Sequence, residues 1–218
     1  MTFDDVVVWL AARLVFWIPF VLSLSVHEYA HALAATWLGD PTPKAEGRLT
    51  LDPAVHVDLL GTVLLPLLGV PIGWARPVVV NPASFRGGGD GRFAMLFTAM
   101  AGPLSNLVIA LSSAVLLAII GALSAESARG AAGTVLASVI VLNVSLAVFN
   151  LLPVPPLDGS RIVDWLCPDA LRPAWNWLYA RAGLGIGIVL VVPVLLGLDV
   201  SGFSHDLGNA LVRWATGA

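Results

Sequence analysis

Apolar residues run almost without interruption over residues 4–38, where three polar, ionisable side chains fall together late in the run, in "SVHEYAHALAA" at 25–35. Thr2, Asp4 and Asp5 offer caps at the start of this run, and "GDPTP" at 39–43 stops it. A helix of that length reaches about 50 Å, so it must tilt or protrude from a hydrocarbon layer about 30 Å thick. Polar and apolar residues then alternate through "PKAEGRLTLD" at 43–52, the period of a short strand. The stretch "HVDLLGTVLLPLLGVPIGW" at 56–74 is apolar but broken by Gly61, Pro66, Gly69 and Pro71. "ARPVVVNP" at 75–82 is β-branched, bounded by prolines, and reads as a second strand. "FRGGGDG" is a loop in which Asp90 can cap a helix over 91–122. Further apolar helices are predicted over 132–152 and 173–198, and a short interfacial helix over 201–218. No internal repeat or low-complexity tract is visible.

This pattern predicts a single domain over 1–218. The fold class is an all-α polytopic membrane protein with four to six transmembrane or re-entrant helices. A small β element is expected between the first helix and the helix starting near residue 91. Composition agrees: 58% of residues are hydrophobic and 11% charged, against about 25% charged in soluble domains. A net charge of −3 is too small to suggest nucleic acid as a partner. The single cysteine, Cys167, excludes an intramolecular disulfide. "MTFDD" carries two acids and no base, unlike the start of a signal peptide, so the first apolar run is expected to be retained.

Basic residues orient the chain, because cytoplasmic loops carry the excess of Lys and Arg. Lys44, Arg48, Arg76, Arg86 and Arg92 lie in 39–53 and 75–92, and Arg161, Arg172 and Arg181 in 159–181. The 123–131 loop holds only Arg129 and the tail only Arg213. The basic segments share the cytoplasmic side only if 56–74 enters and leaves on one face, as a re-entrant or broken helix buried in protein. A plain fifth span is the competing reading. The expected location is a multi-pass position in the cell membrane.

The chemistry is carried by His27, Glu28 and His31. Residues at i and i+4 of a helix share a face about 6 Å apart along the axis, so both imidazoles can reach one metal ion. Glu28 lies about 100° around from His27, close enough to touch a metal-bound water without being a ligand. H-E-x-x-H is the arrangement of two zinc ligands and a general base on one helix face. In a soluble helix such a match is often a solvated polar face. Inside a membrane helix, ionisable residues are costly and mark function. A catalytic zinc usually takes three protein ligands and leaves one position open. His56, Asp58, Asp158 and His205 are the candidates for the third. Asp158 is best placed, because it follows "NLLPVPP" at the end of an apolar helix predicted to emerge on the side toward which the His/Glu turn points. The bland reading of Asp158 is a cap on a short helix starting near Gly159. Gly159 is expected to permit an unusual turn there. His56 and Asp58 read as interfacial polar residues or as supports of the site, and His205 as surface.

"HEYAH" in one membrane helix and "NLLPVPPLDG" in a later one together resemble the site-2 protease family of intramembrane zinc metalloproteases. "AGPLSN" and "GWARPVVVNP" match further patterns of that family, and the resemblance covers roughly residues 20–165. No inserted PDZ or CBS domain is visible, so the chain is similar to compact members. The resemblance implies zinc held by His27, His31 and Asp158, with Glu28 as the catalytic base. It implies that Asn150, eight residues before the aspartate, positions substrate or stabilises the reacting carbonyl. An amide can donate to a developing oxyanion, though interhelical hydrogen bonding is the commoner use of Asn in membranes. Asn106 and Gly102 of "AGPLSN" read as close helix packing. The strands near 45–51 and 76–81 are expected to receive an extended substrate by strand addition.

The function so implied is hydrolysis of peptide bonds in or near transmembrane segments, toward the cytoplasmic side. The partners are a transmembrane protein or peptide substrate and the lipid bilayer. A metal-binding membrane transporter is one alternative, but transporters often show internal repeats. A catalytically inactive scaffold is another, and the intact His27, Glu28, His31 and Asp158 argue against it.

Overall fold

The computed structural model describes residues 3–68, 73–87, 91–183 and 200–217. Helix α1 (Phe3–Trp37) takes up the first apolar run. It stops where Gly39 adopts a φ of +110°. The Gly39 N–H donates to the Thr36 carbonyl (3.1 Å) and the Asp40 N–H to the Ala35 carbonyl (3.0 Å), the paired closure that a left-handed residue gives to a helix end. The short α2 (Thr42–Ala45), a 3₁₀ turn at Pro53–Val55 and a π-helical turn at Leu59–Leu64 follow, the last running into α3 (Leu65–Leu67). After a 3₁₀ turn at Pro82–Ser84 come α4 (Arg92–Leu123), α5 (Ala125–Arg129) and α6 (Ala131–Asn150). The chain continues through α7 (Ser160–Leu166), a 3₁₀ turn at Asp169–Leu171, α8 (Arg172–Tyr179) and α9 (Val200–Thr216). Much of the apolar helix expected over 173–198 falls outside the described residues, as does Asp90, the expected cap of α4.

Helix α4 packs against α6 and α1, and α9 lies along α6 and α4. The buried face of α4 is built largely from small residues, with Ala99, Gly102, Ala110 and Ala114 at helical spacing. Such stripes let helices approach closely where lipid removes the hydrophobic drive between them. The polarity is the reverse of a soluble protein's. Ser23, His27, Thr98, Asn106 and Asn143 are buried, while Phe97, Leu104, Val108, Leu111, Val115 and Ile119 of α4 are exposed. Helices α4 and α6 are both long and apolar enough to cross a bilayer.

The expected β element is absent: no strand occurs among the described residues. Residues 43–52 fold instead as α2 followed by turns. Residues 75–81 form an irregular segment in which three N–H groups find separate acceptors. Arg76 donates to the His56 carbonyl (2.8 Å), Val78 to the Glu28 carboxylate (3.0 Å) and Asn81 to the Asp40 carboxylate (2.6 Å). Pro77 and Pro82 have no N–H to give. Side-chain carboxylates thus take two donors that a ladder would use, those of Val78 and Asn81, and substrate capture by strand addition has no sheet to rest on among the described residues.

The broken apolar segment turns back on itself. Thr62 Oγ1 donates to the Trp74 carbonyl (2.7 Å), the Trp74 N–H to the Gly61 carbonyl (3.3 Å), and Trp17 Nε1 to the Thr62 carbonyl (2.8 Å). With the Arg76–His56 bond, these contacts bring both ends of 56–74 together. The helical part, 59–67, is about 14 Å long at 1.5 Å per residue, too short to span. Its helical end, α3, packs against α1.

Candidate active site

His27 and His31 stand one turn apart on α1, and Asp158 sits in the turn after α6. His27 Nε2 and His31 Nε2 are 3.0 Å apart, and Asp158 Oδ2 lies 3.2 Å from the first and 3.3 Å from the second. Among the described residues these three form the one group of His, Cys, Asp or Glu close enough to share a metal ion.

The hydrogen positions follow from a chain of bonds that starts at a backbone carbonyl. The Val139 carbonyl can only accept, so the Asn143 atom 2.9 Å from it is the amide nitrogen, which also donates to Ser23 Oγ (3.0 Å). Asn143 Oδ1 therefore faces Asn106 and accepts from its Nδ2 (2.9 Å). That leaves Asn106 Oδ1 as the acceptor 2.6 Å from His27 Nδ1. His27 carries its proton on Nδ1 and a lone pair on Nε2. His31 is fixed in the same sense, because its Nδ1 lies 2.7 Å from the Thr98 carbonyl. Pro103 has no N–H for the Ala99 carbonyl, so the helix ladder is already interrupted beside the carbonyl that reaches His31.

The Nε2 atoms of both histidines and Asp158 Oδ2 therefore converge on one point, and Asp158 Oδ2 is buried without a hydrogen-bond donor. A metal ion held there would satisfy all three. Tetrahedral zinc with bonds of about 2.0–2.1 Å to nitrogen and oxygen separates its ligands by about 3.3–3.4 Å. The observed 3.0, 3.2 and 3.3 Å fit that ion. Space is kept by Gly102 of α4, where a Cβ would stand 2.4 Å from His31 Nε2 and 2.5 Å from His27 Nε2.

The Asp158 turn is held by backbone bonds. The Gly159 N–H donates to the Asn150 carbonyl (2.7 Å) and the Arg161 N–H to the Asp158 carbonyl (2.9 Å). The Asp158 side chain does not cap α7, which has no side-chain cap. Gly159 was expected to allow an unusual turn, but its φ is −58°, open to any residue. Glycine is needed there for room: a Cβ would stand 2.1 Å from the Leu151 carbonyl oxygen.

Glu28 is buried beside the cluster, and its Oε2 accepts from the Val78 N–H. Asn150 ends α6 with its Nδ2 donating to the Leu146 carbonyl one turn back (2.9 Å). Its main-chain carbonyl, not its amide, meets the Asp158 turn. The remaining ligand candidates lie elsewhere. His56 is buried with Nε2 bonded to the Thr50 carbonyl (2.8 Å). Asp58 caps the π-helical turn through the Leu60 and Gly61 N–H groups. His205 is exposed on α9 beside Asn209. Sequence reasoning missed Asn143 and Ser23 and took Asn106 for packing. The signal was available, since an amide in an apolar membrane helix needs a partner.

A sequence profile of peptidase family M50 matches residues 116–194, which include Asp158. The chain is 42% identical over 159 residues to "Putative zinc metalloprotease YwhC" of Bacillus subtilis, covering 71% of this chain and 70% of that protein. It is 31% identical over 186 residues to "Putative zinc metalloprotease Rip2" of Mycolicibacterium smegmatis, covering 80% of this chain and 66% of that protein. The protein of the same name from Mycobacterium tuberculosis is 28% identical over 214 residues, 89% of this chain and 78% of its own. No solved structure matches.

Proposed function

The chain belongs to peptidase family M50, the site-2 protease family, and on that premise we propose that it is a zinc endopeptidase that cuts peptide bonds in or near the transmembrane segments of membrane proteins. In this reading His27, His31 and Asp158 hold the zinc, Glu28 is the general base and Asn150 positions the substrate. The observation that carries it is the meeting of two imidazole Nε2 atoms and a carboxylate oxygen within 3.0–3.3 Å. The names of the relatives point to the same metal and the same reaction class.

Zinc in this cradle supplies Lewis acidity and lowers the pKa of water it binds toward about 7. The protein does the rest. Asn106 and the Thr98 carbonyl occupy the Nδ1 atoms of the two histidines and keep both Nε2 lone pairs on the metal side. Glu28, steadied through Oε2 by the Val78 N–H, takes a proton from the attacking water as its oxygen bonds to the peptide carbon. It returns that proton to the amine nitrogen as the C–N bond breaks. The Asn150 amide donates to the carbonyl oxygen as charge builds there, which requires its Nδ2 to leave the Leu146 carbonyl. The substrate must arrive unwound, because carbonyls within a helix are already hydrogen-bonded.

The apolar exterior of α4 and the buried polar groups behind it support a reaction within the bilayer. Lys44, Arg76, Arg86, Arg161 and Arg181 favour a multi-pass position in the cell membrane with the site toward the cytoplasm. The substrate is then a membrane-spanning protein or peptide.

The test is to purify the protein, measure bound zinc, and compare cleavage of a single-span membrane substrate by the wild type and Glu28→Gln. Zinc retained with cleavage lost supports the mechanism. Cleavage surviving in Glu28→Gln would sink it.

A further inference from the structure

Arg48 is a buried cation in a loop of an otherwise apolar protein, only 4% exposed. Its Nη1 donates to the Val55 carbonyl and its Nη2 to the Arg76 carbonyl. The planar fork thus ties the 48–56 loop to the irregular segment that crosses the site. Arg76 is held on its other side as well, through its N–H to the His56 carbonyl (2.8 Å). Pro77 follows, with φ fixed by its ring. Val78 comes next, and its N–H donates to Glu28 Oε2 (3.0 Å). Beyond it the Asn81 N–H is anchored on Asp40, which is fully buried (2.6 Å).

Among the described residues, Val78 is the one hydrogen-bond donor to Glu28. The position of that N–H is set by the segment's two anchors, and the nearer one passes through the Arg48 guanidinium. We infer that Arg48 is a positioning residue for the general base: it fixes the Arg76 carbonyl, the rigid Pro77 carries that restraint to Val78, and the Val78 N–H holds Glu28 in place. The inference rests on the reading of Glu28 as the base.

Arginine suits the task because one planar group reaches two carbonyls from two segments, where a lysine offers a single flexible point. Charge supports the same link. Burial lowers the Arg48 pKa from its ordinary value, and the Glu28 carboxylate is the foremost charge opposing that shift.

Arg48→Met and Arg48→Lys test the inference in the full-length protein. The rate constant for cleaving a single-span substrate is expected to fall by up to about 100-fold in Arg48→Met, the cost of a catalytic group slightly misplaced by a change away from the chemistry. KM and zinc content stay at the wild-type level. Backbone amides at 76–80 exchange hydrogen faster in the zinc-free variant than in the zinc-free wild type, a readout that needs no turnover. Arg48→Lys recovers part of both effects. A staple with no link to the base would instead lower thermal stability and folded yield, leaving kcat per zinc unchanged. If Arg48→Met does not fold, Pro77→Gly reads the same link with the guanidinium in place, and it too should lower kcat and speed exchange at 76–80. Wild-type kcat with unchanged exchange in the folded variants would overturn the inference. A wild-type protein that binds zinc but cuts no substrate would instead overturn the protease reading beneath it.

Discussion

Asn106 Oδ1 lies 2.6 Å from His27 Nδ1, and the proton between them belongs to the histidine. That assignment follows from the Val139 carbonyl, two asparagines away. The bond does on α4 what a carboxylate does behind many metal-bound histidines: it fixes the tautomer and aims the ring.

Asn106→Leu should therefore weaken zinc binding about 10–100-fold while the protein still folds and inserts. Competition with a chromogenic chelator measures this directly. Wild-type affinity in the variant would mean that His27 holds its tautomer unaided.

Gly102→Ala makes a sharper demand. A methyl group at that position would stand 2.4–2.5 Å from both Nε2 atoms, so either the rings or α4 must move. We expect loss of most bound zinc and of cleavage, with helix content by circular dichroism unchanged. One zinc per chain in this variant would show that the cluster can shift as a unit.

Gly159→Ala pushes the Asp158 turn away from α6, because the new Cβ would meet the Leu151 carbonyl oxygen at 2.1 Å. Overpacking of this kind costs about 1–3 kcal/mol, and here it also displaces the third ligand. Lower thermal stability together with reduced zinc occupancy is expected. Full occupancy at reduced stability would separate the turn from the metal.

Asn150→Ala separates the two uses of that amide. If the side chain serves the reacting carbonyl, cleavage falls about 100-fold or more with zinc content intact. If it serves only the end of α6 through Leu146, melting temperature falls and the rate per folded molecule stays the same.

Zinc removal should be visible in stability as well as activity. A ligand that binds only the folded state, present at 1,000 times its Kd, adds about 4 kcal/mol. Dialysis against a chelator should lower the melting temperature and abolish cleavage, and added zinc should restore both. An unchanged melting temperature would argue against a metal bridging α1 and the Asp158 turn.

The parts of this site legible in the sequence were those whose chemistry is local. His27, Glu28 and His31 share a helix turn, so their spacing alone aligns them. Asp158 could be ranked first because prolines and a glycine break the chain around it. The glycines and prolines of 56–74 marked a broken segment, and its ends do lie together through the Arg76–His56 and Trp74–Gly61 bonds. The parts that stayed hidden depend on partners distant in the chain. Alternation at 43–52 and β-branching at 75–82 looked like strands, yet Glu28 and Asp40 claim the Val78 and Asn81 N–H groups that a ladder would use. Asn143, an amide in an apolar helix, signalled only that it needed a partner and not which, because its value lies in reaching both Asn106 and Ser23 on other helices.

The polar relay from Val139 to His27 runs through α6, α4 and α1. The ribosome makes those helices in the opposite order, so "HEYAH" enters the membrane long before Asn106, Asn143 or Asp158 exists. Until then His27 has no fixed tautomer and the histidine pair has no third ligand. The full ligand set therefore exists only once the turn that holds Asp158 has been made.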